Sequence, residues 1–237
     1  MIRRPPRSTP SNSSAASDVY KRQWISSNTT VGTIDETGLF TSLAPGTTTV
    51  MAANGSVNGT AEVTVQRPPY TIDLKMGWNL ISIPDYIDPS DVATVLKGVE
   101  YNAIYTYTPD RGWYVPEQFE PLYGYWINCT AENQTINLEW KTEWQIVRPP
   151  PKRSMKEGWN LIGPNYGLSD DLEEGIEAPV VLISLLSLDP SCSTLIDEEG
   201  QTYTILDCDD GAFWNLKLNA GEGYWLFMTR DDTLAGR

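Results

Sequence analysis

Short runs of alternating apolar and polar residues dominate the chain, and few stretches carry the three-to-four-residue spacing of an amphipathic helix. Between residues 24 and 66 the alternation is clearest. Val31 to Ile34 and Leu39 to Thr41 flank Asp35-Glu36-Thr37-Gly38, which reads as a hairpin. Thr47 to Ala53 places Thr48, Val50 and Ala52 on one face, and Gly59 to Val65 does the same with Ala61, Val63 and Val65. Asn54-Gly55 and Asn58-Gly59 supply turn residues between them.

From Arg67 the pattern repeats. RPPYTIDLKMGWNLISIP returns 81 residues later as RPPPKRSMKEGWNLIGPN, and Gly124-Tyr125-Trp126-Ile127 returns 99 residues later as Gly223-Tyr224-Trp225-Leu226. The second copy therefore carries about 18 extra residues, and this duplication is the strongest signal in the chain. Each copy predicts a stiff Pro-rich junction and an apolar Trp-Asn-Leu-Ile strand. A short helix and further strands follow. In the first copy the helix is capped by Asp88-Pro89, with Val92, Val95, Leu96 and Val99 as its stripe and Gly98 at its end. Strands are expected at Ala103 to Thr108, Trp113 to Val115, Gly124 to Cys129 and Thr135 to Leu138. In the second copy the helix falls at Ser169 to Glu174. Its strands fall at Val180 to Leu188, Thr202 to Leu206, Ala212 to Leu218 and Gly223 to Met228.

Residues 1–23 stand apart, with five of the 17 basic residues and a single acid, Asp18. They lack the apolar core of a secretory signal. MIRRPPRST and DVYKRQ resemble translated sequencing adapter, so 1–23 is read as an artefactual or disordered leader and left out of the fold. The expected organisation is mainly β: a partial β-sandwich over 24–66, then two small β-rich domains, 67–147 and 148–237, each with one short helix.

Composition narrows the function. Histidine is absent, which removes Ser-His-Asp and Cys-His nucleophiles and His-ligated metal sites. The net charge of −14 argues against nucleic acid and anionic membranes as partners. No apolar run approaches the roughly 20 residues that span a bilayer. No enzyme activity and no cofactor are expected.

Nine tryptophans invite a sugar-stacking role. Trp78 pairs with Trp159, Trp126 with Trp225 and Trp113 approximately with Trp214, and residues required by both copies are expected in the core. Trp140 and Trp144 fall outside the repeat pattern on a polar segment, which makes them the candidate ligand aromatics. Asp207, Asp209 and Asp210 form a weak calcium candidate without EF-hand spacing, as do Asp197, Glu198 and Glu199. Cys192 and Cys208 are placed to form a disulfide in an exported protein, worth about 3 kcal/mol, with Cys129 a buried free thiol. Of the N-x-S/T sequons, Asn54 and Asn58 in hairpin turns are the best glycosylation candidates, whereas Asn128 aligns with Phe227 and is expected to face the wrong way.

Two resemblances extend this reading. The W-x-S-S-N opening at Trp24, Asp35-x-x-Gly38-Leu39-Phe40-Thr41 and Ala44-Pro45-Gly46-Thr47-Thr48-Thr49-Val50 resemble the C-terminal half of a group 2 bacterial immunoglobulin-like domain. That resemblance implies a spacer or adhesive module without catalytic residues, with the first strands lying upstream of Trp24. The paired GWNLIS and GYW signatures resemble modules of archaeal and bacterial cell-surface proteins. Together they imply a non-catalytic piece of a secreted or surface protein with a structural or adhesive role. Its partners would be envelope proteins or glycans. The runner-up is a glycan-binding accessory module of a larger secreted enzyme.

Overall fold

The computed structural model describes residues 23–141, 149–167, 170, 172–186, 191–205 and 215–236. The protein is mainly β and divides into two compact units: residues 1–43 with 48–63, and residues 44–47 with 64–237.

In the first unit, strands β1 (Gln23–Ser26), β4 (Gly46–Asn54) and β5 (Val57–Val65) form an antiparallel sheet in the order β1-β4-β5. β2 (Gly32–Ile34) and β3 (Phe40–Ser42) make the expected hairpin. The motif residues have visible work. Thr48 Oγ1 lies 2.9 Å from Ser26 Oγ and accepts from Asn28 N at 2.9 Å, and Ser27 Oγ accepts from Thr49 N. Asp35 Oδ1 accepts from Thr37 N and Leu39 N, closing the hairpin turn. Gly38 sits at φ +91°, where a Cβ would lie 2.7 Å from the Trp24 ring. Ile25, Leu39, Leu43 and Val57 are exposed. Asn58-Gly59 lies inside β5 and not in a turn. The chain reverses at Gly55, whose φ of +61° suits glycine, and one such reversal suffices to join β4 to β5.

Both repeats fall in the second unit. Copy one contains β6 (Tyr70–Leu74), β7 (Gly77–Ser82), α1 (Val92–Val95), β8 (Tyr101–Thr108), β9 (Gly112–Tyr114), β10 (Gly124–Cys129) and β11 (Gln134–Leu138). Copy two contains β12 (Lys152–Met155), β13 (Gly158–Ile162), β14 (Ile176–Glu177), α2 (Ala178–Val181), β15 (Cys192–Ile196), β16 (Thr202–Thr204), β17 (Lys217–Leu218), β18 (Tyr224–Met228) and β19 (Asp232–Ala235). The four-stranded sheets β7-β10-β8-β9 and β13-β18-β15-β16 have the same order, and each copy is closed by a strand pair, β11-β6 and β12-β19. Even the register shift recurs: it falls between Asn128 and Cys129 in one copy and between Cys192 and Thr194 in the other.

Three elements differ from expectation. The Pro-rich junctions run directly into β6 and β12, which pair with the last strand of each copy. The cap of α1 is Asp91, whose Oδ1 accepts from Thr94 N at 2.8 Å, because the Asp88 backbone is bound to Glu139 O. In copy two the described residues of 169–174 are a bend at Asp170 and a turn at 172–174, and the run read as a strand from Val180 holds the end of α2 and the turns after it. Ala178, Val181, Leu182 and Leu185 are all buried, a helical spacing that a uniformly apolar run conceals.

The copies meet about a pseudo-twofold axis. Ile81 bridges Glu222 and Tyr123 bridges Ile162, and these two contacts are repeat counterparts of each other. Ser82 N donates to Gly221 O (2.8 Å), and its counterpart Gly163 N donates to Leu122 O (3.3 Å). At the axis only one side chain fits: a Cβ on Gly163 would collide with that of Ser82. The axis thereby explains why Ser82 is answered by glycine. Leu122 holds a left-handed φ of 71° where copy two has Gly221. Its side chain is buried in the core of copy two, and its carbonyl accepts from Arg153 Nη1 at 2.8 Å. Those contacts offset a backbone cost on the order of 1–3 kcal/mol. Arg153 Nη1 also donates to Leu161 O, so one buried guanidinium ties both copies together.

Candidate functional site: an aromatic face across both repeats

The two signatures separate into structural and outward-facing residues. In Gly-Trp-Asn, Gly77 and Gly158 take φ of +93° and +97°, a region that favours glycine. The asparagines point inward. Asn79 Nδ2 donates to Lys75 O and Gly77 O while its Oδ1 accepts from Lys75 N, and Asn160 repeats this with Lys156 and Gly158. In Gly-Tyr-Trp, Tyr125 and Tyr224 are buried, with hydroxyls accepting from Glu120 N (2.7 Å) and Asn219 N (3.0 Å). Burial pushes both phenols far above their ordinary pKa, so they stay neutral at any physiological pH. Gly124 and Gly223 face the other copy, where a Cβ would lie 2.7 Å from Ile162 O and 2.9 Å from Ile81 O. Every signature residue but the tryptophan is thus fixed by the fold.

The tryptophans point the other way. Strand alternation places Trp78 on β7, Trp126 on β10, Tyr105 and Tyr107 on β8 and Trp113 on β9 on the outer face of their sheet. Trp159 and the pair Trp225 and Phe227 do the same in copy two. Trp78 is 44% and Trp113 53% exposed. Trp78 meets Trp126 edge-on at 6.3 Å and Tyr105 at 6.3 Å, and Trp113 meets Tyr105 at 6.5 Å and Tyr107 at 5.4 Å. The row then crosses to copy two: Trp225 lies 5.6 Å from Trp113 and 5.4 Å from Tyr107, and Trp159 lies 6.4 Å from Trp225 and 5.1 Å from Phe227. Eight rings form one contiguous outer surface, and five of them (Trp78, Tyr105, Trp113, Trp126, Trp225) line an open cleft of about 660 Å³.

The core placement expected for the paired tryptophans is therefore corrected. The inward positions of these strands belong to Asn79, Ile81 and Ile127, and their counterparts, which leaves the alternate positions to the tryptophans. The converse holds for Trp140, read as a surface aromatic. It is 6% exposed, donates from Nε1 to Pro68 O at 2.6 Å and carries the Arg67 guanidinium 4.2 Å from its ring centre. Trp140 continues the inward alternation of Ile136 and Leu138, which was the sequence signal for its burial. Trp144 and Trp214 lie outside the described residues.

The remaining candidates are dispersed. Cys129 and Cys192 are buried free thiols, and burial pushes the Cys192 thiol up to about 12; Cys208 lies outside the described residues. Asp207, Asp209 and Asp210 also lie outside them. Among the described residues no group of three His, Cys, Asp or Glu is placed to hold a metal ion. Asp197 instead accepts from Gln201 N at 2.8 Å and from the Tyr203 hydroxyl, within its own turn. Asn54 and Asn58 are exposed. Asn128 lies directly opposite Trp78 in register, on the outer face and half-buried, so it faces outward.

Residues 8–65 match the family of bacterial Ig-like domains (group 2). The match begins at Ser8, inside the segment that composition set apart, and ends at the last residue of β5. Domains of this family are often found in surface or secreted proteins. No curated protein matches the chain. No described helix is long and apolar enough to cross a membrane.

Proposed function

We propose that the chain is a non-catalytic, adhesive part of a secreted or cell-surface prokaryotic protein, and that the aromatic face of the paired repeats is its contact surface. The observation that carries this reading is the outward placement of Trp78, Trp126, Trp159 and Trp225 in signatures whose other residues each hold the fold together. Water-exposed indole is costly to leave uncovered, and tryptophan is the residue most enriched where binding energy concentrates. The Ig-like match at residues 8–65 supports the location, because such domains typically occur in extracellular or surface proteins. The absence of histidine supports a role without acid–base chemistry by that residue.

The test is sedimentation of the labelled full chain with prokaryotic cell envelopes, comparing wild type with Trp78→Ala/Trp113→Ala/Trp225→Ala. Wild type is expected to co-sediment and the triple variant, with unchanged circular dichroism, to remain in the supernatant. Equal binding by both proteins would refute the assignment of this face.

A further inference from the structure

We propose that the aromatic face binds a neutral polysaccharide, whose sugar rings lie along the row from Trp78 through Trp113 and Trp225 to Trp159; this rests on the reading of that face as the contact surface. Three observations select a sugar chain over other occupants. The first is the chemistry of the lining. A pyranose presents an apolar C–H face with hydroxyls at its rim, and it is matched by a ring that couples an apolar body to a polar tip. The cleft is lined by tryptophan and tyrosine alone.

The second is the supply of hydrogen-bond donors. Of the indoles in the described residues, only that of Trp140 donates a hydrogen bond within the protein. The N–H groups of Trp78, Trp113, Trp126, Trp159 and Trp225 and the hydroxyls of Tyr105 and Tyr107 make no hydrogen bond among the described residues, and because the exposed lining of the cleft is wholly apolar, a ligand that stacks there meets these donors only outside the cleft, with the hydroxyls at its own rim. A quaternary ammonium group would stack on such rings but accepts no hydrogen bond, and an apolar peptide side chain likewise leaves every donor unused. Sugar hydroxyls accept from them while the ring stacks.

The third is charge and extent. No charged side chain lines the cleft, and the chain carries a net charge of −14, which disfavours an acidic polysaccharide. The row is continuous only because Trp113 and Tyr107 of one copy touch Trp225 of the other. A ligand that uses the whole row must be extended and must contact both repeats.

The experiment divides the envelope preparations that bind the full chain into two portions, one oxidised with periodate to cleave vicinal diols and one digested with protease. Binding is expected to be lost after periodate and kept after protease. It should be competed by soluble neutral glycan released from the same envelopes, with Trp113→Ala weakening that competition on the order of tenfold and Trp113→Tyr restoring part of it. Loss of binding to protease alone, or competition by tetramethylammonium chloride but not by neutral glycan, would overturn the proposal while leaving the aromatic face as the contact surface. A wild-type dimer that Trp113→Ala converts to monomer would overturn it as well, since a second copy would then cover the face. Absence of envelope binding in any portion would remove both readings.

Discussion

Replacing Gly223 with valine should drive the two repeats apart and lower the thermal midpoint of the second unit by roughly 10 °C, equivalent to about 3 kcal/mol in a unit of this size. The added Cβ would meet Ile81 O at 2.9 Å and Leu80 Cγ at 2.9 Å. Neither can move freely: Leu80 and Ile81 are buried, and the Leu80 carbonyl accepts from Gly223 N at 3.1 Å. Gly124→Val should behave alike, since its Cβ would meet Ile162 O and Leu161 Cγ in the same geometry. The axis itself offers a more specific check. Gly163→Ala should destabilise, because its methyl would collide with Ser82, and adding Ser82→Gly should recover a large part of the loss. Near-ultraviolet circular dichroism during heating reads all of these. If Gly223→Val and Gly124→Val melted like wild type, the close approach of the repeats would be wrong.

Trp140→Ala should be the most damaging tryptophan substitution, at about 3–5 kcal/mol. It removes a nearly fully buried ring from a cluster that includes Ile72, Ile136 and Leu138, and deletes the donor to Pro68 O. It also uncovers Arg67, which is buried and 3.3 Å from Asp85. Trp78→Ala, by contrast, gives up only partly exposed ring contacts, worth about 1 kcal/mol. Chemical unfolding of the two variants should rank them in that order. The reverse ranking would place the signature tryptophan back in the core.

That ranking inverts the inference that duplication suggests, and the reason is physical. Presence in both copies shows that a residue is required, but not on which face of its strand it stands. Period-two alternation carries that information. It was readable at Ile136, Leu138 and Trp140, where the polar residues between them point out. In Gly-Trp-Asn-Leu it was hidden, because the inward residue is the hydrogen-bonding Asn79 and Leu80, on the outward side, is covered by the other repeat at Gly223. The hairpin at Asp35–Gly38 and the strands carrying both signatures were legible from turn chemistry and alternation. Strand β12 was not, since one of its two inward positions is Arg153, a buried cation whose partners are carbonyls of both copies, with Met155 the other. The pseudo-twofold axis leaves no periodic trace at all. Its clearest local sign is Ser82 answered by Gly163, a difference between copies whose meaning appears only when the two residues are seen to share one space.

The signature tryptophans form an outward surface and Trp140 an interior one. Hydroxyl-radical footprinting of the full chain, read residue by residue by mass spectrometry, tests it most directly. Trp78 and Trp113 are expected to oxidise fastest, Trp126, Trp159 and Trp225 at intermediate rates, and Trp140 only as the protein unfolds. Protection of Trp78 and Trp113 together with rapid oxidation of Trp140 would contradict the account.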